Sequence, residues 1–186
     1  EEPERNPNPA VAPAATDGDK AVALFAGGCF WCVESAFDDL PGVVSAVSGY
    51  TGGKTEAPTY HQVGRGRTGH AEAVRVVFDS KVVSYEQLVG VLWTNIDPFQ
   101  ADGQFCDHGD QYRSAIYFED AAQEAVARKT AKAVAGRFGK EPVTEIAAAG
   151  TFWAAEDYHQ DYHAKNPGHY LAYRTGCGRD RRLQEI

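Results

Sequence analysis

Ala21-Val22-Ala23-Leu24-Phe25-Ala26-Gly27-Gly28-Cys29-Phe30-Trp31-Cys32-Val33-Glu34-Ser35-Ala36-Phe37 is the stretch on which the reading of the fold turns. A short apolar run reads as a buried strand. Two glycines end it, permitting a tight turn and close approach of another molecule to the backbone. A helix over residues 29–37 follows, closed by Pro41-Gly42. Cys29 then lies in the first helical turn, where unpaired N–H groups and the positive dipole end favour an anion. A free thiol titrates near ~8.5, and such a setting lowers it to between about 3.5 and about 7.5, so Cys29 is expected to be substantially thiolate at neutral pH. Cys32 stands three residues on. Helical i,i+3 side chains have Cβ atoms about 5–6 Å apart, and a disulfide needs about 3.5–4.5 Å. A helix start can give that much. The pair therefore reads as redox-active, with Cys29 attacking and Cys32 resolving, rather than as two small core hydrophobes.

Outward from this stretch the chain reads as one domain. Residues 1–18, rich in Pro, Ala, Asn and Glu, have no apolar periodicity and are expected to form a disordered leader, with the folded domain at 19–186. Strands are predicted at residues 43–48, 71–79, 114–118 and 143–148. Helices are predicted at 84–95, with Ser84 and Gln87 at capping-box spacing, and at 120–138, capped by Asp120, paired through Glu124 and Arg128, and stopped by Gly139. From Gly150 the sequence is aromatic and largely irregular. Strands and helices alternate without a βαβ rhythm, so the expected class is α+β.

The 186 residues are 43% hydrophobic and carry a net charge of −8. That balance argues against nucleic acid, which requires clustered Lys and Arg. The one basic cluster, Arg179, Arg181 and Arg182, reads as a solvated tail. No apolar run reaches the ~18 residues of a membrane span, so no membrane insertion is expected. The four cysteines are Cys29, Cys32, Cys106 and Cys177. Zinc would need a second close pair or a His pair, and Cys106-x-His108 is at most half a site, so no metal is expected. The leader and the missing initiator Met point to export, periplasmic after removal of a signal, with the cytoplasm as the alternative.

Gly28-Cys29-Phe30-Trp31 at the end of a first strand resembles the peptide methionine sulfoxide reductase A family. Further blocks run in the family's order over residues 21–170: Ser48-Gly49-Tyr50-Thr51-Gly52-Gly53, Pro58-Thr59-Tyr60, Thr68-Gly69-His70-Ala71-Glu72-Ala73-Val74, Asp107-His108-Gly109-Asp110-Gln111-Tyr112-Arg113-Ser114, Ala155-Glu156-Asp157-Tyr158-His159-Gln160-Asp161-Tyr162 and Lys165-Asn166-Pro167. The resemblance implies a single two-layer domain, a mixed β-sheet flanked by helices with a long irregular C-terminal segment. It implies a monomeric enzyme that reduces the S epimer of methionine sulfoxide, free or in proteins, through a Cys29 sulfenic acid and an intramolecular disulfide. A thioredoxin or thioredoxin-like reductant recycles it, with no cofactor.

By the same resemblance Glu72 is the proton donor, Tyr60 and Tyr112 hydrogen-bond the sulfoxide oxygen, and Asp107 orders the pocket. Phe30 and Trp31 hold the methyl group, and His159, Tyr162 and Tyr170 line the opening. Many members have Gly where this chain has Cys32. The subset with Gly-Cys-Phe-Trp-Cys resolves through that second cysteine, so Cys32 is the expected resolver. Cys177, between two glycines, is a second one that passes the disulfide outward, and Cys106 reads as a buried spectator. Two other readings compete. A thioredoxin-like oxidoreductase shares Cys-x-x-Cys, but this chain has no Pro in the motif. A non-enzymatic methionine-binding module would tolerate loss of Cys29.

Overall fold

The computed structural model describes residues 5–12 and 18–186. Along the chain run β1 (Ala10–Val11), β2 (Lys20–Gly27), α1 (Phe30–Phe37), β3 (Val43–Thr51), α2 (Tyr60–Gly64), β4 (Ala71–Asp79), α3 (Tyr85–Trp93), β5 (Gly103–Gln104) and β6 (Asp107–His108). Then come a 3-10 turn (Asp110–Tyr112), β7 (Ser114–Phe118), α4 (Ala121–Phe138), β8 (Glu145–Ala148), β9 (Phe152–Ala154), a second 3-10 turn (Asp157–His159), α5 (Tyr162–Lys165), α6 (Pro167–Gly176) and α7 (Arg179–Glu185).

Seven strands form one sheet in the order β1-β9-β3-β4-β2-β7-β8, and β5 pairs with β6 separately. All its pairs are antiparallel except β7 with β8, so the sheet is mixed. β2 lies between β4 and β7 and is covered on both faces, which is why its sequence is a continuous apolar run rather than an alternation. Ala23 and Phe25 face the helices, packing with Phe30, Val33 and Phe37 of α1 and Leu88 and Leu92 of α3. Leu24 and Ala26 face the other way, against Ala71, Ala73, Ala115, Tyr117 and Phe152. On α1, Phe30, Val33 and Phe37 recur at helical spacing, and the Phe25 and Phe37 rings stack at 5.2 Å.

The α+β class and mixed sheet are as expected, and so are the caps. Ser84 and Gln87 form a capping box on α3, Asp120 caps α4, and Gly139 ends it in the left-handed conformation. Three expectations change. The leader was expected to lack order across residues 1–18, yet Ala10 and Val11 pair with Trp153 and Phe152. Asn6 is buried and its Nδ2 donates to the Ala154 carbonyl at 2.7 Å, as Asn8 Nδ2 does to Ala155 at 2.6 Å. Composition counts apolar burial and overlooks such amide-to-backbone bonds, which hold residues 5–12 against the sheet edge; residues 1–4 and 13–17 lie outside the described residues. The C-terminal stretch, read as irregular, is built of β9 and three short helices. The basic tail is not solvated throughout: Arg179 is buried and Arg182 Nε donates to Asp97 Oδ2 at 2.8 Å. Among the described residues no helix is long and apolar enough to cross a membrane.

Candidate active site

β2 delivers Gly27 and Gly28 to the start of α1. Gly28 has φ +85°, and a Cβ there would stand 2.6 Å from Gln104 Cβ, so the turn requires glycine. Cys29 caps α1, with its carbonyl accepting from the N–H groups of Cys32 at 3.1 Å and Val33 at 3.3 Å. Both Cys29 and Cys32 are free thiols and both are buried.

The expected lowering of Cys29 at the helix start does not hold. Burial, the hydrogen bond it shares with Cys32, and the Glu72 and Asp107 carboxyls push the Cys29 thiol well above its ordinary value. The charge settles on Cys32, brought down to about 6 first by the hydrogen bond from Cys29, with Arg179 and Arg174 adding to it against the cost of burial. Together the two thiols lose one proton near neutrality and hold the other tightly.

Glu72, opposite Tyr50 in the β3–β4 ladder, is 2% exposed, and its Oε2 accepts the Phe30 N–H at 2.9 Å. Burial foremost, with Asp107 and Cys32 adding, raises it to about 8, so Glu72 carries a proton at neutral pH. Tyr60 opens α2, whose N-terminus is fixed by the Thr59–Gln62 capping box and by Tyr60 N donating to Glu156 Oε2 at 3.0 Å. Tyr112 ends the first 3-10 turn. Burial and the nearby Glu72 raise both phenols, which stay neutral donors. Asp107, on β6, accepts a hydrogen bond from the Tyr173 hydroxyl and is raised by burial.

These groups meet. Cys29, Phe30, Trp31, Tyr60, Glu72, Asp107, Tyr112 and Tyr173 line one cavity of ≈ 50 Å³, a space for one or two water-sized groups at about 30 Å³ each. A larger cleft of ≈ 460 Å³ between α3, α4 and α7 is lined by Trp93, Thr130, Val134, Phe138 and Leu183, and no cysteine lines it.

His159, Tyr162 and Tyr170, expected at the opening, are not among the residues that line this cavity; His159 and Tyr162 pack against the side chains that do. His159 Nδ1 accepts from Trp31 Nε1 at 3.0 Å, and its ring packs on Phe30 at 5.0 Å and Tyr60 at 4.3 Å. Burial lowers His159 to about 4, so it is neutral. Tyr162 stacks on Trp31 at 3.8 Å, and Tyr170 accepts from Arg174 Nη1 at 3.1 Å beside Cys32. The sequence reading missed Tyr173. Its signal was the Tyr170-x-x-Tyr173 spacing after Pro167 at the first turn of a helix, which puts both rings on one face. It also missed Glu34, whose carboxylate, buried on α1, accepts from Ser48 Oγ and from Asp161 N at 2.5 Å, anchoring the segment that carries Tyr162.

Cys106 is not a buried spectator. It is exposed and forms a disulfide with Cys177, across 71 residues. The bond ties the β5–β6 hairpin, which carries Asp107, to α6, which carries Tyr173. Spacing could not show this, because the two cysteines meet only when α6 packs on the hairpin. Among the described residues, Cys106, Asp107 and Cys177 form the one group with metal-ligand proximity, and its two sulfurs are bonded to each other.

Two neutral phenols and a protonated carboxyl that line one cavity with the nucleophile can receive a developing oxyanion. Tyr60→Phe and Tyr112→Phe are each expected to lower kcat by roughly 10²–10³ with KM little changed, on the precedent of a single removed oxyanion donor; steady-state kinetics on a methionine sulfoxide peptide checks this.

Fold and site together define a thiol-based reductase of a small oxidised group. The sequence profile of the peptide methionine sulfoxide reductase family matches residues 21–186, and the chain belongs to that family. It is 50% identical over 159 residues to the peptide methionine sulfoxide reductase MsrA of Listeria monocytogenes, covering 84% of this chain and 90% of that one. Among solved structures, methionine sulfoxide reductase A of Corynebacterium diphtheriae aligns with TM-score 0.75 at 35% identity, over 89% of this chain and 86% of that one. Reduced Mxr1 from Saccharomyces cerevisiae aligns with TM-score 0.76 at 28% identity, over 81% and 87%.

Proposed function

We propose that Cys29 and Glu72 together carry the reduction of methionine S-sulfoxide, free or within proteins, to methionine. The observation that carries this is a nucleophilic sulfur and a carboxyl still holding its proton in one methyl-sized cavity. The Cys29 proton crosses the shared hydrogen bond to Cys32, leaving the anion on Cys29. That thiolate attacks the sulfoxide sulfur while Glu72 protonates the oxygen and Tyr60 and Tyr112 donate to it. Phe30 and Trp31 seat the methyl group. The protonated oxygen then passes from the substrate sulfur to the Cys29 sulfur as the bond between the two sulfurs breaks, its electron pair returning to the substrate, so that methionine leaves and Cys29 becomes a sulfenic acid.

Cys32 then attacks that sulfur, forming the Cys29–Cys32 disulfide and releasing water. Cys177 opens this disulfide by attack on Cys32, and Cys106 displaces Cys32 from Cys177, leaving the inner pair reduced and the outer pair joined. The structure holds the sulfurs in that last arrangement. A thioredoxin-type dithiol then attacks the outer bond, whose Cys106 end is exposed.

Mass spectrometry of the fully reduced protein after one equivalent of sulfoxide, without reductant, tests the order. Wild type is expected to end with Cys106–Cys177 joined, and a Cys177→Ser variant with Cys29–Cys32 joined. Cys32→Ser is expected to release one methionine per chain and then stall with Cys29 oxidised. A Cys29–Cys177 bond in wild type with Cys32 untouched would overturn the order.

A further inference from the structure

Arg179 is among the largest fully buried side chains, at 2% exposure. Its Nη2 donates to the carbonyls of Gly27 at 3.0 Å and Asn95 at 2.6 Å, and its guanidinium lies over the Phe105 ring at 4.5 Å. Its Nη1 stands 3.6 Å from where a Cβ on Gly28 would be. A cation thus sits directly behind the turn that delivers Cys29. Among the described residues it has no carboxylate within ion-pair distance, and its Nε has no hydrogen-bond partner. A charge buried without a counter-charge is costly, and two backbone carbonyls offset that cost only in part.

The groups that face the Cys29–Cys32 pair decide what the compensating anion is. β4 presents Glu72, protonated at neutral pH, and β6 presents Asp107, already bonded to Tyr173. Tyr60, Tyr112, Tyr170 and Tyr173 present neutral phenols, and α6 presents Arg174. Arg174 is paired with Asp180, its Nε reaching both carboxylate oxygens at 2.9 Å, so its charge is largely spent there. Arg179 also acts on Asp107 and Asp180 without an ion pair to either, and it is the cation placed against the glycine turn from which the thiol pair hangs.

We propose that Arg179 is a positioning residue for catalysis: its buried guanidinium, delivered by α7, is the counter-charge for the thiolate that Cys29 and Cys32 share. This rests on the reading of that pair as the redox centre, and it assigns the last helix a role in the chemistry. The direction of the effect on Cys32, where Arg179 stands ahead of Arg174 among the charges that favour the anion, agrees with the geometry.

The test needs no sulfoxide, so its outcome is separate from that of the proposed reaction. With the Cys106–Cys177 bond closed, Cys29 and Cys32 are the only free thiols, and their ionisation is read by thiolate absorbance and by the pH dependence of alkylation. Arg179→Gln, which keeps donors and loses the charge, is expected to raise the midpoint by about one pH unit, a tenfold loss of thiolate below it. Arg179→Lys restores most of the shift. Equal midpoints in wild type and a folded Arg179→Gln, or an equal shift in Gln and Lys, would overturn the proposal and leave Arg179 as a carbonyl clamp.

If Arg179→Gln does not fold, Phe105 gives a second route. Its φ is +57°, a conformation that Asp and Asn tolerate better than Phe. Phe105→Asp sets a carboxylate against Arg179 and is expected to raise the midpoint, with Phe105→Asn as the neutral control. No difference between those two variants would also overturn it.

Discussion

Cys29→Ser is expected to abolish sulfoxide turnover, by roughly 10⁴-fold or more in kcat/KM, while the domain stays folded. The magnitude follows from the chemistry. A serine hydroxyl in the same buried position has a far higher pKa and no stable state that retains the oxygen, so the first step has no substitute. Cys29 caps α1 through its backbone carbonyl and its side chain makes no cap bond, so the helix start does not depend on the sulfur. Circular dichroism should therefore be unchanged, with no methionine released even in a single turnover. Retained turnover in Cys29→Ser would mean that another group attacks the substrate, and the cavity holds no other nucleophilic sulfur.

Glu72→Gln is expected to lower kcat by about 10²–10⁴, the usual contribution of a positioned general acid, and to change the shape of the pH profile. In wild type the thiol pair must lose a proton, which happens as pH rises through about 6. Glu72 must keep its proton, which it loses as pH rises through about 8. Activity should therefore be bell-shaped between those limits, and Glu72→Gln should lose the alkaline limb and keep the acid one. Stability carries the same sign. The folded pKa of Glu72 is raised above its unfolded value, so its contribution is fully present below the unfolded pKa and is lost as pH rises through about 8. Glu72→Gln should remove that decline from the pH dependence of urea unfolding. An alkaline limb that survives in Glu72→Gln would place the essential acid elsewhere.

Local pattern carried much of this domain. The run from Ala21 to Phe37 encodes a strand covered on both faces, a glycine turn and a helix whose apolar residues recur at three and four, and all of it forms as read. The caps at Ser84, Asp120 and Gly139 are equally local, since each bonds within one turn of itself. The site was legible where the family blocks carried it: Cys29, Phe30, Trp31, Tyr60, Glu72, Asp107 and Tyr112 all reach the one cavity. Tyr173 was not, because its spacing with Tyr170 sets both rings on one helix face but does not say whether that face meets solvent or Asp107.

Electrostatics departed furthest from the sequence reading. A helix start argues for an anion on Cys29, but the dipole is a short-range effect and is outweighed by burial and by the Glu72 and Asp107 carboxyls. Burial depends on what folds over the turn, and that includes Phe105, Arg179 and the C-terminal helices, all distant in sequence. The four cysteines make the same point. Cys29 and Cys32 lie one helical turn apart, so their pairing is written in the chain; Cys106 and Cys177 are brought together only by the packing of α6 on the β5–β6 hairpin.

By itself the sequence determined the α+β order of elements, the glycine turn that sets a cysteine at a helix start, and the second thiol within its reach. Only the tertiary structure decided which sulfur bears the charge, that Glu72 keeps its proton, that an arginine from the last helix is buried behind Gly28, and that the outer cysteines meet. The physical reason is range. Hydrogen-bonded turns and apolar periodicity are set by neighbours a few residues away, whereas desolvation and charge compensation are set by whatever the rest of the chain places within a few ångströms.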